Sequence, residues 1–164
     1  MTADFQPGIF IEALKRAKVD FVVIGGVAMG LHGSALITYD TDVMYARDRE
    51  NIERLATALA ELQVRIRGVP ADVPFRPDAK TLQAGMNFTF SSDSGDLDVL
   101  GEVDGIPSYE SVRTRARIMR IGGQDVHVAS VQDLIAMKQA AGRTKDLRAL
   151  DDLAAILELE GRGE

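Results

Sequence analysis

Phe21-Val22-Val23-Ile24 is an unbroken apolar run that stops at Gly25-Gly26. A strand without a polar face reads as buried on both sides, and such strands belong to sheets with helices packed on them. A second strand is expected from Tyr39 to Tyr45, and the pattern there is different. It carries Asp40 and Asp42, one residue apart, thirteen residues after the glycine pair. In extended backbone, side chains at i and i+2 leave the same face, roughly 6–7 Å apart.

Two carboxylates so placed can hold one or two Mg²⁺ ions, which bind through oxygen and leave room for substrate phosphates. A glycine turn just upstream lets backbone approach a phosphate closely. Together these parts suggest chemistry on a nucleoside triphosphate (NTP). The alternatives are simpler: glycines often end strands, and an Asp-x-Asp pair also guards an edge strand against aggregation.

The rest of the chain fits a mixed α/β (α+β) fold. Helical spacing covers Ile9 to Ala17, and Val27 to Leu31 can form a short helix closed near Gly33. Asp48 can N-cap a helix whose apolar positions run from Ile52 to Leu62. Pro70, Pro74 and Pro77 make residues 66–80 a loop. Met86 to Phe90 alternates as a strand, and Gly95 separates it from Asp96-Leu97-Asp98-Val99-Leu100. A hairpin is expected at 117–121 and 124–128 around Gly122-Gly123. Ser130 to Asp133 resembles a capping box opening a helix over 131–141, and an amphipathic helix is expected from about Thr144 to Glu160. Residues 1–164 are expected to form a single domain, a mixed β-sheet with flanking helices and two C-terminal helices.

Composition narrows the function classes. The chain is 46% hydrophobic and 27% charged, ordinary for a soluble protein, and it lacks cysteine, which excludes disulfides and thiolate metal sites. No apolar run is long enough to span a bilayer, so a cytoplasmic protein without a membrane partner is expected. A net charge of −6 argues against general nucleic-acid binding. Two local basic clusters remain, Arg113/Arg115/Arg117/Arg120 and Arg65/Arg67/Arg76, each either an acceptor surface or a solvated face.

A two-metal centre usually takes a third carboxylate from a neighbouring strand. Asp98 is the first choice and Asp96, on the same face, is the reserve. Lys138 and Arg143, with Lys145 and Asp146 just beyond, could meet a triphosphate or form a solvated helix face. His32 lies near the glycine turn and either touches a nucleotide or is structural; His127 alternates in a strand and should face outward. No Ser-His-acid, zinc-spacing or Walker pattern is present.

Ile24-Gly25-Gly26, the thirteen-residue interval and Asp40-Thr41-Asp42-Val43 resemble the signature of the DNA-polymerase-β-like nucleotidyltransferase superfamily. Within it, the chain looks most like AbiEii-type toxins and minimal nucleotidyltransferases. Ala28, His32-Gly33 and Thr38 carry that likeness, as do Gly95 to Leu100 and the stretch from Asp133 through Lys138 and Arg143-Thr144-Lys145-Asp146. The resemblance spans about residues 20–155. It implies that Gly25 and Gly26 cradle the triphosphate, that Asp40, Asp42 and Asp98 hold Mg²⁺, and that Lys138, with Arg143 and Asp146 nearby, helps bind nucleotide. The implied reaction transfers NMP from NTP to a hydroxyl of tRNA, protein or a small molecule, with one half of a bacterial toxin–antitoxin pair as a setting and its cognate protein as a partner.

Two departures stand out: Leu36 where relatives often carry arginine, and Thr41 where the residue is usually aliphatic. They keep open a catalytically weak or inactive nucleotide-binding module of the same fold. A third possibility is an interaction protein using the leucines of the last helix, which are more simply core.

Overall fold

The computed structural model describes residues 5–70 and 72–162. β1 (Phe21–Ile24) is buried at all four positions and lies inside a sheet. It pairs antiparallel with β2 (Asp40–Tyr45) and parallel with β7 (Gln124–Val128). β2 in turn pairs parallel with β5 (Gly95–Leu100), which pairs antiparallel with β4 (Asn87–Ser92). The short β3 (Arg65–Ile66) and β6 (Arg117–Ile121) complete the order β3-β4-β5-β2-β1-β7-β6. This is a mixed seven-stranded sheet with helices packed on it, as the apolar β1 demands.

Helices fall into two packed groups. α1 (Pro7–Arg16) and α4 (Ala79–Ala84) each contact α3 (Arg49–Leu62). α6 (Val131–Ala141) contacts both α2 (Gly25–Leu31) and α7 (Thr144–Gly161). α1 buries Phe10, Ile11, Ala13 and Leu14 and leaves Glu12, Lys15 and Arg16 outside, the expected 3.6-residue stripe. Asp48 does cap α3, accepting from the Asn51 N–H at 3.1 Å. The buried Asn51 amide then bonds both polar groups of the Asp20 backbone and the Ala46 carbonyl, tying the start of β1 to the end of β2.

Several elements depart from the sequence expectation. α2 begins at Gly25, two residues early, and β2 begins at Asp40, where its pairing with β5 begins, leaving Tyr39 exposed before it. Residues 66–80 are not wholly loop: β3 enters them, and Asp78 caps α4 by accepting from Thr81 N–H at 2.8 Å. An additional helix, α5 (Tyr109–Arg115), holds Arg113 and Arg115, so the four-arginine cluster is split between a helix and strand β6. In α7 the leucines divide: Leu153 and Ile156 are buried, whereas Leu147 and Leu159 are exposed.

Candidate active site

β2 and β5 lie side by side in register, which brings Asp42 next to Asp98 and Asp40 next to Asp96. Burial alternates along β5 and over the first four residues of β2, with Thr41, Val43, Leu97 and Val99 fully buried and the four aspartates on the more open face. The edge-guard alternative falls away here, because both strands are interior. One carboxylate oxygen from each of Asp40, Asp42 and Asp98 lies within 4.8 Å of the others. Asp96 is drawn aside: Arg67 stands 3.3 Å from it and also donates to Asp98 at 2.6 Å.

The glycine pair has a definite steric role. Gly25 has φ of +66°, and a Cβ there would collide with the Asp42 carboxylate. A Cβ on Gly26 would run into Thr38. Thr38 in turn donates to Asp40, at 3.2 Å to the side chain and 3.3 Å to the backbone carbonyl. The glycines therefore admit the aspartate strand against α2, whatever they also do toward a ligand.

Burial first, then the neighbouring Asp40 and Asp98 charges, push the Asp42 carboxyl up to about 8, with Lys138 opposing. Asp42 Oδ1 is buried and has no hydrogen-bond partner. A set of hard oxygen donors with one orphaned buried oxygen and an elevated carboxyl fits a divalent cation such as Mg²⁺.

The facing wall comes from the junction of α6 and α7. Asp146 is almost fully buried, and its carboxylate accepts from the Arg143 backbone N–H, Nε and Nη2 at 3.1, 2.8 and 3.2 Å. Lys138 Nζ lies 3.5 Å from the same carboxylate. Hydrogen bonding to Arg143 is the largest cause holding the Asp146 carboxyl down at about 2. Asp146 thus faces its own cations and would act on a nucleotide only through Lys138 and Arg143. Lys138 is not on a solvated face: it borders two cavities.

One cavity, about 450 Å³, lies between the aspartates and Lys138, Arg143 and Lys145, with Leu36 on its wall. The other, about 520 Å³, shares Asp42, Lys138 and Arg143 and extends over Leu100, Leu134 and Met137 toward Asn87, Glu102 and Asp104. Asn87 and Glu102 are neighbours that local sequence reading missed, and Arg67, read there only as part of a basic cluster, reaches the aspartates through strand pairing that no short spacing announces.

The remaining candidates lie elsewhere. His32 is structural, with Nε2 2.8 Å from the Ala129 carbonyl oxygen and Nδ1 3.6 Å from Glu160. His127 does not simply face outward. It is half-buried in a small cleft with Lys15 and Arg113, and burial followed by those two cations lowers its pKa. Arg115 pairs with buried Asp133 at 2.6 Å, Arg117 with Glu160 at 3.1 Å and Arg120 with Asp125 at 3.1 Å.

Solved structures share this arrangement of strands and helices. TM1012 of Thermotoga maritima, determined as a candidate nucleotidyltransferase, is 18% identical, with a TM-score of 0.54 over 91% of this chain and 89% of that one. The solution structure of the antibiotic-resistance factor ANT(2'')-Ia is 15% identical, with a TM-score of 0.59 over 94% of this chain and 85% of that one. The crystal structure of ANT(2'')-Ia with adenylyl-2''-tobramycin gives 0.58 at 15% identity, covering 93% and 87%. The fold is that of nucleotidyltransferases. No protein-family model matches the chain. No curated protein matches it in sequence. Among the described residues, no helix is long and apolar enough to cross a membrane.

Proposed function

We propose that the chain is a Mg²⁺-dependent nucleotidyltransferase, acting as a single domain, that moves NMP from an NTP to a hydroxyl acceptor. The observation that carries this reading is the convergence of Asp40, Asp42 and Asp98 within 4.8 Å, with an unpartnered Asp42 oxygen, opposite Lys138, Arg143 and Lys145. Neither wall alone would suffice. A metal-holding wall facing a cationic wall across a cavity of nucleotide-triphosphate scale matches a substrate with metal-bound phosphates.

Asp40, Asp42 and Asp98 would hold the metal, which when bound neutralises triphosphate charge and aligns the reacting oxygens. Lys138 and Arg143, fixed by Asp146, contribute charge toward the phosphates. Thr38 orients Asp40 through its hydroxyl. The acceptor hydroxyl attacks the α-phosphorus, its proton passes to solvent or a site carboxylate, and pyrophosphate leaves. Leu36 removes one cation that the resemblance leads one to expect, but three others face the same cavity. Those three serve nucleotide binding under either reading; the converging acid triad is what favours the active enzyme over the inactive nucleotide-binding module.

Among acceptors, a small molecule or protein side chain fits better than tRNA. Arg115, Arg117 and Arg120 face Asp133, Glu160 and Asp125, so the acids beside them offset part of the positive surface a phosphate backbone would meet. ANT(2'')-Ia, whose complex contains adenylyl-2''-tobramycin, gives a small-molecule precedent on this fold. The resemblance to AbiEii-type proteins extends the proposal to a toxin–antitoxin setting, for which growth arrest on expression is the test.

The decisive experiment is label transfer from each α-³²P NTP into bacterial lysate, comparing the wild type with Asp40→Ala/Asp42→Ala. Labelled product with wild type only, abolished by EDTA, is the expected result. Mg²⁺-dependent NTP binding without transfer to any lysate fraction would favour the inactive module.

A further inference from the structure

Arg67 follows β3 directly and is fixed at several points. Its backbone N–H donates to the Thr89 carbonyl at 3.1 Å, and Nη2 donates to the Phe90 carbonyl at 3.0 Å. The same Nη2 donates to Asp98 Oδ1 at 2.6 Å, while Nε lies 3.3 Å from Asp96 Oδ2 as an ion pair without a hydrogen bond. Asp98 is mostly buried, its side chain 16% exposed, whereas the Asp96 side chain is 43% exposed. One guanidinium thus spans both β5 acids, anchored to β4 at the same time.

We propose that Arg67 is a positioning residue for the metal centre: its hydrogen bond to Oδ1 fixes the Asp98 carboxylate beside the other aspartates, while the ion pair with Asp96 steadies Arg67. This rests on the metal reading above and assigns different roles to two acids that sequence treats alike. It follows from the pairing register. Asp96 and Asp98 share one face two residues apart, and a planar guanidinium reaching from the end of β3 can donate to Asp98 while its Nε edge lies beside Asp96, a placement a point charge does not fix. The fork also supplies one positive charge to the most acidic part of the sheet. The more exposed Asp96 carries it away from the centre, and the buried Asp98 faces the other aspartates.

The test is Mn²⁺ binding to the intact chain without nucleotide, read by EPR of free Mn²⁺, for wild type, Arg67→Lys, Asp96→Asn, Asp98→Asn, Asp42→Asn and the Arg67→Lys/Asp96→Asn double variant. Arg67→Lys keeps the charge and loses the fork, so a positioning role predicts at least tenfold weaker Mn²⁺ binding. Asp98→Asn should weaken it by at least as much. Asp96→Asn should cost about threefold in the wild-type background and nothing further in Arg67→Lys, because its effect passes through the arginine. Melting temperatures of the same variants identify loss of fold. An Arg67→Lys protein that is folded and binds Mn²⁺ like wild type overturns the clamp. So does an Asp96→Asn loss of tenfold or more in both backgrounds, which would make Asp96 a ligand. If Asp42→Asn and wild type bind Mn²⁺ equally, the metal reading itself falls and takes the clamp with it, a pattern distinct from the other two.

Discussion

The two walls of the candidate site reach opposite electrostatic solutions. On β2 and β5, three carboxylates crowd together, and Asp42 keeps an unpartnered oxygen and a carboxyl raised to about 8. Across the cavity, Asp146 is saturated by Arg143 and Lys138 and its carboxyl sits at about 2. On the proposed reading the first wall takes its cation from outside; the second carries its own. A site that must bind a metal and a polyanion together benefits from that asymmetry. The anion side can be built in advance, because its cations are steadied by a buried acid. The metal side has to remain under-satisfied, because any partner that fully quieted Asp42 would compete with the ion.

The largest effect that could break this contrast is on turnover. Asp42→Ala should reduce Mg²⁺-dependent nucleotidyl transfer about a hundredfold or more, with the circular dichroism spectrum unchanged. Retained activity in that folded variant would place the chemistry elsewhere. Asp146→Ala should instead act mainly on stability and nucleotide affinity. It removes an α7 N-terminal cap and the shared partner of two cations, a loss of roughly 2–3 kcal/mol, or about 5–10 °C in Tm. Its KM for NTP should rise more than its kcat falls.

How far these walls could be read in the sequence depended on the range of the signal. The aspartates, the glycine pair and the capped helices are local patterns, and β1, β2, β5, β7, α3, α6 and the two-helix ending fall close to where periodicity puts them. The acid triad was legible for the same reason: strand alternation decides which aspartates share a face, and the sheet then aligns them. What stayed hidden was long-range or negative. Arg67 looks like any arginine beside a proline-rich loop until β3 pairs with β4. α5 lies between two segments with no strong apolar stripe, its buried set reduced to Val112. Asp146 reads as a phosphate-site residue until its helix cap shows that both its oxygens are already engaged.

The two walls should also carry opposite pH signatures. Asp42 has a folded carboxyl raised above its ordinary value near 3.8, so the folded state binds that proton more tightly. Its stabilising contribution is full below about 4 and is lost as pH climbs through about 8. Metal-free Asp42→Asn should therefore melt about 3–6 °C above wild type at pH 8.5, match it near pH 4, and lose the advantage when Mg²⁺ is added. Asp146 runs the other way, its carboxyl lowered from 3.8 to about 2. Its contribution is present above about 4 and disappears as pH falls through 2, so wild type and Asp146→Asn should converge in acid. Equal pH profiles for the two variants would dissolve the contrast.

The smallest predicted effect separates an orphaned group that waits for a ligand from one that does not. Thr41 lies between Asp40 and Asp42 but faces the closed side of β2, fully buried, and its Oγ1 has no partner. No cation can reach it there, so the hydroxyl is only a desolvated cost of about 1 kcal/mol or slightly more. Valine matches its shape and β-branching, keeping the strand and the register of the flanking aspartates. Thr41→Val should raise Tm by about 2–4 °C at every pH from 4 to 8.5, with or without Mg²⁺, and leave Mn²⁺ affinity within about twofold. Differential scanning fluorimetry across that grid distinguishes the cases. A stabilisation that vanished with Mg²⁺ would tie Thr41 to the metal wall, whereas one independent of pH and metal assigns it to the core and leaves the charge asymmetry to the aspartates on the open face.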